Sequence, residues 1–183
     1  MNEVGDCSMI QQHAEYHLRL ARPDEVGRLR EIEDEAGERF NGLDIFDPSL
    51  SSSFSLDEMY RLAKLSQVWV ACDSNDKPVG MIVASIRCGN GYIEELDVLP
   101  EHGRRGLGVR LLNRVCEWAL ENGCVAVDLS TFRDVPWNGP FYRKNGFRDL
   151  AAEEWTADMA LIREIETKQG LLPDARVFMR RSL

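Results

Sequence analysis

The stretch Glu94-Glu95-Leu96-Asp97-Val98-Leu99-Pro100-Glu101-His102-Gly103-Arg104-Arg105-Gly106-Leu107-Gly108-Val109-Arg110-Leu111-Leu112 constrains this chain more than any other. It reads as a strand that enters a tight turn of arginines and glycines and leaves it directly as a long amphipathic helix. Gly106 and Gly108 have no Cβ, so a ligand can come close to their backbone. The first turn of a helix presents N–H groups without intrahelical partners and the positive end of the helix dipole. Together these features form an anion site, suited to a pyrophosphate.

Two common glycine-rich turns are excluded by single residues. A dinucleotide fingerprint needs a third glycine where this chain has Leu111, and a phosphate-binding Walker loop needs Lys and Ser or Thr where it has Val109 and Arg110. A second segment, Phe141-Tyr142-Arg143-Lys144-Asn145-Gly146-Phe147, reads as a helix end with a glycine cap running into a strand. The two segments together resemble the GCN5-related N-acetyltransferases. That family places Gln/Arg-x-x-Gly-x-Gly/Ala after a strand ending in hydrophobic-x-Pro-Glu, and a later Tyr-x-Lys-x-Gly-Phe. The chain departs from the pattern at Gly103, where the family has Gln or Arg; Arg104 and Arg105 stand next to it.

The resemblance implies acetyl-CoA as co-substrate and transfer of its acyl group to a small-molecule or peptide amine. It implies that the backbone at Leu96 and Val98 pairs with the pantetheine arm. The turn formed by Arg104, Arg105, Gly106, Leu107, Gly108 and Val109 would hold the diphosphate. Tyr142 matches the general acid that protonates the leaving thiolate, although a tyrosine packed at a helix end is the plainer alternative. Asn138 resembles an asparagine that contacts the cofactor, but only three residues separate it from Tyr142 and Pro140 intervenes, so an N-cap is equally open.

Acyl transfer to an amine also needs a base, because an alkylamine is mostly protonated at neutral pH. Glu94 and Glu95 are the candidates, with Glu94 first because it matches the strand glutamate of the family's polyamine acetyltransferases. Strict alternation along the strand places Glu94 with Leu96 and Val98, and Glu95 with Asp97 on the other face. A solvated acidic pair at the strand's entry end is the plainer reading. Asp97 receives no role beyond pairing with an arginine of a covering helix. The oxyanion donor is expected to be a backbone N–H near Val98. Trp137, Phe132, Phe40 and Phe46 could line an acceptor pocket or simply pack. A non-catalytic acyl-CoA sensor on the same fold is the competing function, favoured by Gly103 and the short Asn138 spacer.

Composition narrows the classes. The 183 residues carry a net charge of −9, which argues against nucleic acid as partner and suits a cationic substrate. Apolar runs are only a few residues long, well short of a membrane span. The polar residues 1–14 read as an N-terminal extension, expected to be disordered and without a signal-peptide core. Cys7, Cys72, Cys88, Cys116 and Cys124 show no metal or redox spacing, and His13, His17 and His102 add none, so no metal site and a reducing, cytoplasmic location are expected.

Residues 15–183 read as one domain with strands at 15–21, 68–72, 79–87, 92–99, 125–130, 147–151 and 176–181. Helices are expected at 24–38, 56–65, 105–121, 138–145 and 156–168. The order is that of a mixed α/β fold, and the resemblance implies a mostly antiparallel twisted sheet of about seven strands with helices on both faces. Pairing through the C-terminal strand as a sheet edge would make a homodimer.

Overall fold

Five consecutive buried residues, Val68 to Cys72, form a strand with no solvent face, which requires a sheet covered on both sides. The computed structural model describes residues 16–45, 55–65 and 67–183. The expected N-terminal extension, with Cys7 and His13, lies outside the described residues, as does Phe46. The strands are β1 (His17–Leu20), β2 (Val68–Cys72), β3 (Pro78–Arg87), β4 (Asn90–Val98), β5 (Ala126–Phe132), β6 (Arg148–Asp149) and β7 (Arg176–Ser182). They form one sheet in the order β1-β2-β3-β4-β5-β7-β6, antiparallel throughout except for the central β4–β5 pair.

Five helices flank it: α1 (Val26–Gly37), α2 (Leu56–Lys64), α3 (Leu107–Glu121), α4 (Gly139–Lys144) and α5 (Ala157–Lys168). Ser55 caps α2 in a reciprocal box, its hydroxyl accepting from the Glu58 N–H at 3.3 Å while the Glu58 carboxylate accepts the Ser55 N–H at 2.9 Å. The apolar stripe of α3, including Leu111, Leu112, Val115 and Ala119, is buried against the sheet centre. A Cβ at position 91 would lie 2.9 Å from the Ala119 Cβ, so Gly91 is what lets this helix approach β4.

Two boundaries and one strand position differ from expectation. Helix α3 begins at Leu107 rather than Arg105, because Arg104 (φ 58°) and Gly106 (φ 77°) both take the left-handed conformation. Strand β6 has only two residues, since the chain turns at Ala152–Glu154 just after Leu150 bonds to Phe178. The C-terminal strand is not the last of the sheet: β7 lies between β5 and the two-residue β6, which pairs with it at Arg180 and Met179. No helix among the described residues is long and apolar enough to cross a membrane.

A polar clamp fixes the strand order beside the gap described below. Asp128 on β5 is 3% exposed and accepts two hydrogen bonds from Arg180 on β7, at 2.6 and 2.8 Å, and a third from the Asn90 side chain at 2.9 Å. Arg180→Met would leave a buried carboxylate without its counter-charge. It is expected to cost about 3–5 kcal/mol, read as a clear fall in the denaturant midpoint.

Candidate active site

Hydrogen-bond register opens the sheet at its centre. β4 and β5 pair only from Gly91↔Val127 to Ile93↔Leu129, while β3 follows β4 as far as Val98 and β7 follows β5 as far as Phe132. Residues 94–98 and 130–132 therefore separate, and β4 makes no ladder pairs with β5 on that side. At the same place β3 and β4 slip by one residue: Val83 faces Glu95, Ala84 faces Ile93, and Glu94 is the extra residue of a β-bulge.

A cleft of about 380 Å³ enters this gap. Its walls include Leu96 and Val98 of β4, then Arg104, Gly106, Leu107, Gly108 and Val109 at the start of α3, and Asn138 and Tyr142. Arg110 is the first α3 residue whose N–H finds a carbonyl within the helix, Gly106 O at 3.1 Å. The amides before it carry no side-chain cap, and the first turn holds no acid. They form the bare, positive end of a 15-residue helix. A Cβ at Gly108 would stand 3.4 Å from the Phe141 ring, which walls the same cleft. Arg104 lines the cleft, whereas the Arg105 guanidinium lies over the Tyr16 ring, 5.8 Å from its centre. Of the sequence-predicted cleft residues, Arg105 is the one the fold does not bring there.

A second cavity, about 540 Å³, opens from the other side of the gap. The two share Phe40, Glu95, Leu96, Asp97, Asn138 and Tyr142, so these residues surround the point where the spaces meet. Both Glu94 and Glu95 face the second cavity, contrary to the alternation expected from the sequence. The bulge is the cause, since the extra residue resets the period-two count. Ser85 and Val83 share a face of β3 and pair with Tyr92 and Glu95, and the Ser85 hydroxyl reaches Glu94 on that same side. Leu96, paired with Ile82, takes the opposite face with Ile93.

The two glutamates differ in what surrounds them. Glu94 accepts from the Ser85 hydroxyl at 2.5 Å and from Arg87 Nε at 2.9 Å, and the Arg87 Nη2 is 2.8 Å away. Its charge is therefore neutralised in place. Glu95 lies deeper. Burial, and next the negative charge of Glu33 on α1, push its carboxyl up to about 7. Burial and the Glu95 charge raise Asp97 well above the usual carboxylate range. Among the described residues no arginine pairs with Asp97, and its Oδ2 is buried without a hydrogen-bond partner.

Tyr142 is 7% exposed, with its ring against Phe141 and Phe147. Burial and the charges of Glu95 and Asp97 raise its hydroxyl, so it stays protonated across the neutral range. The Asn138 side chain does not cap α4. Its amide nitrogen donates to Thr131 Oγ1 at 3.0 Å, and its Oδ1 is left buried and unpartnered. Gly139 is obligatory beside it, because a Cβ there would stand 2.2 Å from the Arg133 carbonyl oxygen. Phe40 contacts both Phe132 and Trp137, with ring centres 5.3 and 5.8 Å apart. Phe132 walls the second cavity and Trp137 the cleft.

Four acidic wall residues, Glu33, Glu58, Asp158 and Glu166, were not singled out from the sequence. They come from three different helices and only long-range packing brings them together, so no local pattern marks them. Packing also brings His17, Cys72 and Asp76 within ligand reach of one another on β1, β2 and the β2–β3 turn. That group does not suit a cation: Asp76 already accepts from Arg19 at 2.7 Å and Arg22 at 2.6 Å, and burial raises the Cys72 thiol to about 11.

Comparison with known proteins follows the same lines. The model of the acetyltransferase (GNAT) family matches residues 29–147. Over 70 residues the chain is 36% identical to thialysine N-epsilon-acetyltransferase of Sus scrofa and 34% identical to that of Bos taurus. Each match covers 36% of this chain and 39% of the relative, so the chain spans about two-fifths of the length of these curated relatives. Among solved structures, PaiA N-acetyltransferase from Thermoplasma acidophilum in complex with coenzyme A superimposes with a TM-score of 0.72 at 16% identity, covering 92% of this chain and 99% of that one. N-acetylglutamate synthase from Neisseria gonorrhoeae, complexed with coenzyme A and N-acetyl-glutamate, gives 0.72 at 15% identity over 92% of this chain and 35% of that one. At such identities the likeness is one of fold.

Proposed function

The chain belongs to the acetyltransferase (GNAT) family, and from that premise we propose that it transfers an acetyl group from acetyl-CoA to a primary amine by direct attack in a ternary complex. The observation that carries the reading is the meeting of two spaces at one buried point. One is a cleft with bare helix amides at its mouth; the other is an acid-lined cavity, and Glu95, Asn138 and Tyr142 stand where they join. Family membership and the fold shared with coenzyme A-bound structures support acyl-CoA as donor. In this reading the free amides of Leu107, Gly108 and Val109, with Arg104 beside them, hold the diphosphate. The backbone of β4 at Leu96 and Val98, which makes no ladder pairs with β5, guides the pantetheine arm inward, and an N–H of that segment takes the developing oxyanion.

Glu95 acts as the base, directly or through water. Its ammonium substrate gives up a proton to a carboxylate whose raised pKa puts it near working pH, where general-base catalysis is most efficient. Glu94, held by Arg87 and Ser85, shapes the wall instead. The freed amine nitrogen attacks the thioester carbon. The C–N bond forms and the C–S bond breaks with its electron pair on sulfur; Tyr142 gives the sulfur its proton, and the proton that the nitrogen sheds as it becomes an amide returns to the Tyr142 oxygen through water. Asn138 Oδ1, a buried acceptor with no partner among the described residues, suits the N–H of the attacking amine. A reducing, cytoplasmic setting belongs to the same reading: Cys72, Cys88, Cys116 and Cys124 form no disulfide.

Calorimetric titration with acetyl-CoA, followed by thiol release across an amine panel, tests the proposal. Saturable binding with thiol release supports it; no binding at millimolar CoA rules it out. Binding without turnover on any amine would favour the acyl-CoA sensor instead. Tyr142→Phe is expected to lower kcat by about 10- to 1000-fold with little change in acetyl-CoA affinity. Unchanged turnover would assign thiolate protonation to water.

A further inference from the structure

We propose that Asp97, through a carboxyl O–H, donates a hydrogen bond to the thioester carbonyl oxygen as that oxygen takes on negative charge. This rests on the N-acyltransferase reading and adds a catalytic residue to the same site. With acetyl-CoA in the cleft and the amine in the cavity, the thioester carbonyl lies where the two spaces meet. The residues lining both are Phe40, Glu95, Leu96, Asp97, Asn138 and Tyr142. The side chains of Phe40 and Leu96 are apolar. Glu95 takes the proton of the ammonium, and Tyr142 protonates the sulfur. The Asn138 amide nitrogen is turned toward Thr131 Oγ1, and its Oδ1 is an acceptor. Asp97 is the side chain left, and its Oδ2 is buried without a hydrogen-bond partner.

Its surroundings keep the proton on it. Asp97 follows Glu95 on the same face of β4, opposite Met81 and Val83 of β3. The charge of Glu33 on α1 bears on both carboxyls, and Tyr142 faces Asp97 from α4. Burial first, then the charges of Glu95 and Glu33, favour the neutral carboxyl. Arg39 opposes them, but its guanidinium lies over the Trp137 ring, 4.5 Å from the centre. Two carboxyls this close in effect divide the labour: Glu95 ionises as base and Asp97 stays protonated as donor. No proton is transferred from Asp97. Its hydrogen bond strengthens as the carbonyl oxygen gains charge, beside that of the β4 N–H, and weakens again when the amide carbonyl forms.

Infrared difference spectra of the full chain, native minus Asp97→Asn, test this without turnover. At neutral pH the difference should contain the carbonyl stretch of a protonated carboxyl, and acetyl-CoA added without an amine should move that band. A carboxylate band in its place, or a band that acetyl-CoA leaves unmoved, overturns the inference. Kinetics supply the second arm. Asp97→Leu removes the donor and is expected to lower kcat by about 10²–10³-fold, the range for losing one oxyanion donor, with acetyl-CoA affinity nearly unchanged. Asp97→Asn keeps an N–H donor and should retain most of kcat. Both variants remove a buried carboxyl oxygen that has no partner, so folding, followed by circular dichroism, is expected to hold. A leucine variant as active as the asparagine variant overturns the inference alone. No saturable acetyl-CoA binding and no thiol release by the native chain overturn the acyltransferase reading and the inference with it.

Discussion

Replacing Glu95 by Gln is expected to lower kcat/KM by about 10²–10⁴-fold, the range associated with losing a positioned base. The isosteric amide keeps the packing of the junction and removes only the ability to take a proton. The pH profile separates this from a structural effect. A base must be ionised to act, so the rate of the native enzyme should climb as pH rises through about 7 and level off above it. The variant should lose that limb. Stability runs the other way: the unfolded chain gives up this proton near 4.5, the folded chain only at about 7, so stability falls as pH rises between the two. Glu95→Gln should flatten that slope. The same substitution at Glu94 should leave the limb in place, because its carboxylate is already paired with Arg87. A limb that follows Glu94 and not Glu95 would reverse the assignment.

Gly108→Asp is the second large effect. The position sits in the first turn of α3, where amides without partners face the cleft. A carboxylate there would satisfy those amides itself and repel a diphosphate, so CoA affinity should fall by about 100-fold or more. Gly108→Ala is the control: its Cβ would meet the Phe141 ring at 3.4 Å, a contact the ring can absorb. Retained affinity in the aspartate variant would put the ligand elsewhere. The neighbouring Gly106 is a poorer probe, since its φ of 77° means that any side chain strains the backbone as well.

The glycines, Pro100 and Tyr142 were legible because they do local work. The conformation of Gly106, the exposure of the α3 amides and the burial of Tyr142 beside Phe147 depend on residues close in sequence. Strand and helix types were legible for the same reason; Val68–Cys72 has its expected bounds. What misled was the period-two count through Glu94 and Glu95. A bulge depends on the register with β3, and nothing within residues 90–98 announces it. The start of α3 was read two residues early because Arg104 takes a left-handed conformation that its side chain does not advertise. The acidic cavity stayed hidden because Glu33, Glu58 and Asp158 lie on three separate helices, each of which reads alone as having an ordinary charged face. The net charge of −9 hinted at a cationic substrate without saying where it would bind.

The most direct test follows backbone amide resonances of the full chain during titration with CoA and, separately, inorganic pyrophosphate. Leu107, Gly108 and Val109 should show the largest saturable shifts with both ligands, with Leu96 and Val98 responding to CoA alone. Shifts centred on another surface, or unmoved amides at the start of α3 under saturating CoA, would contradict the assignment of that helix end as the diphosphate site.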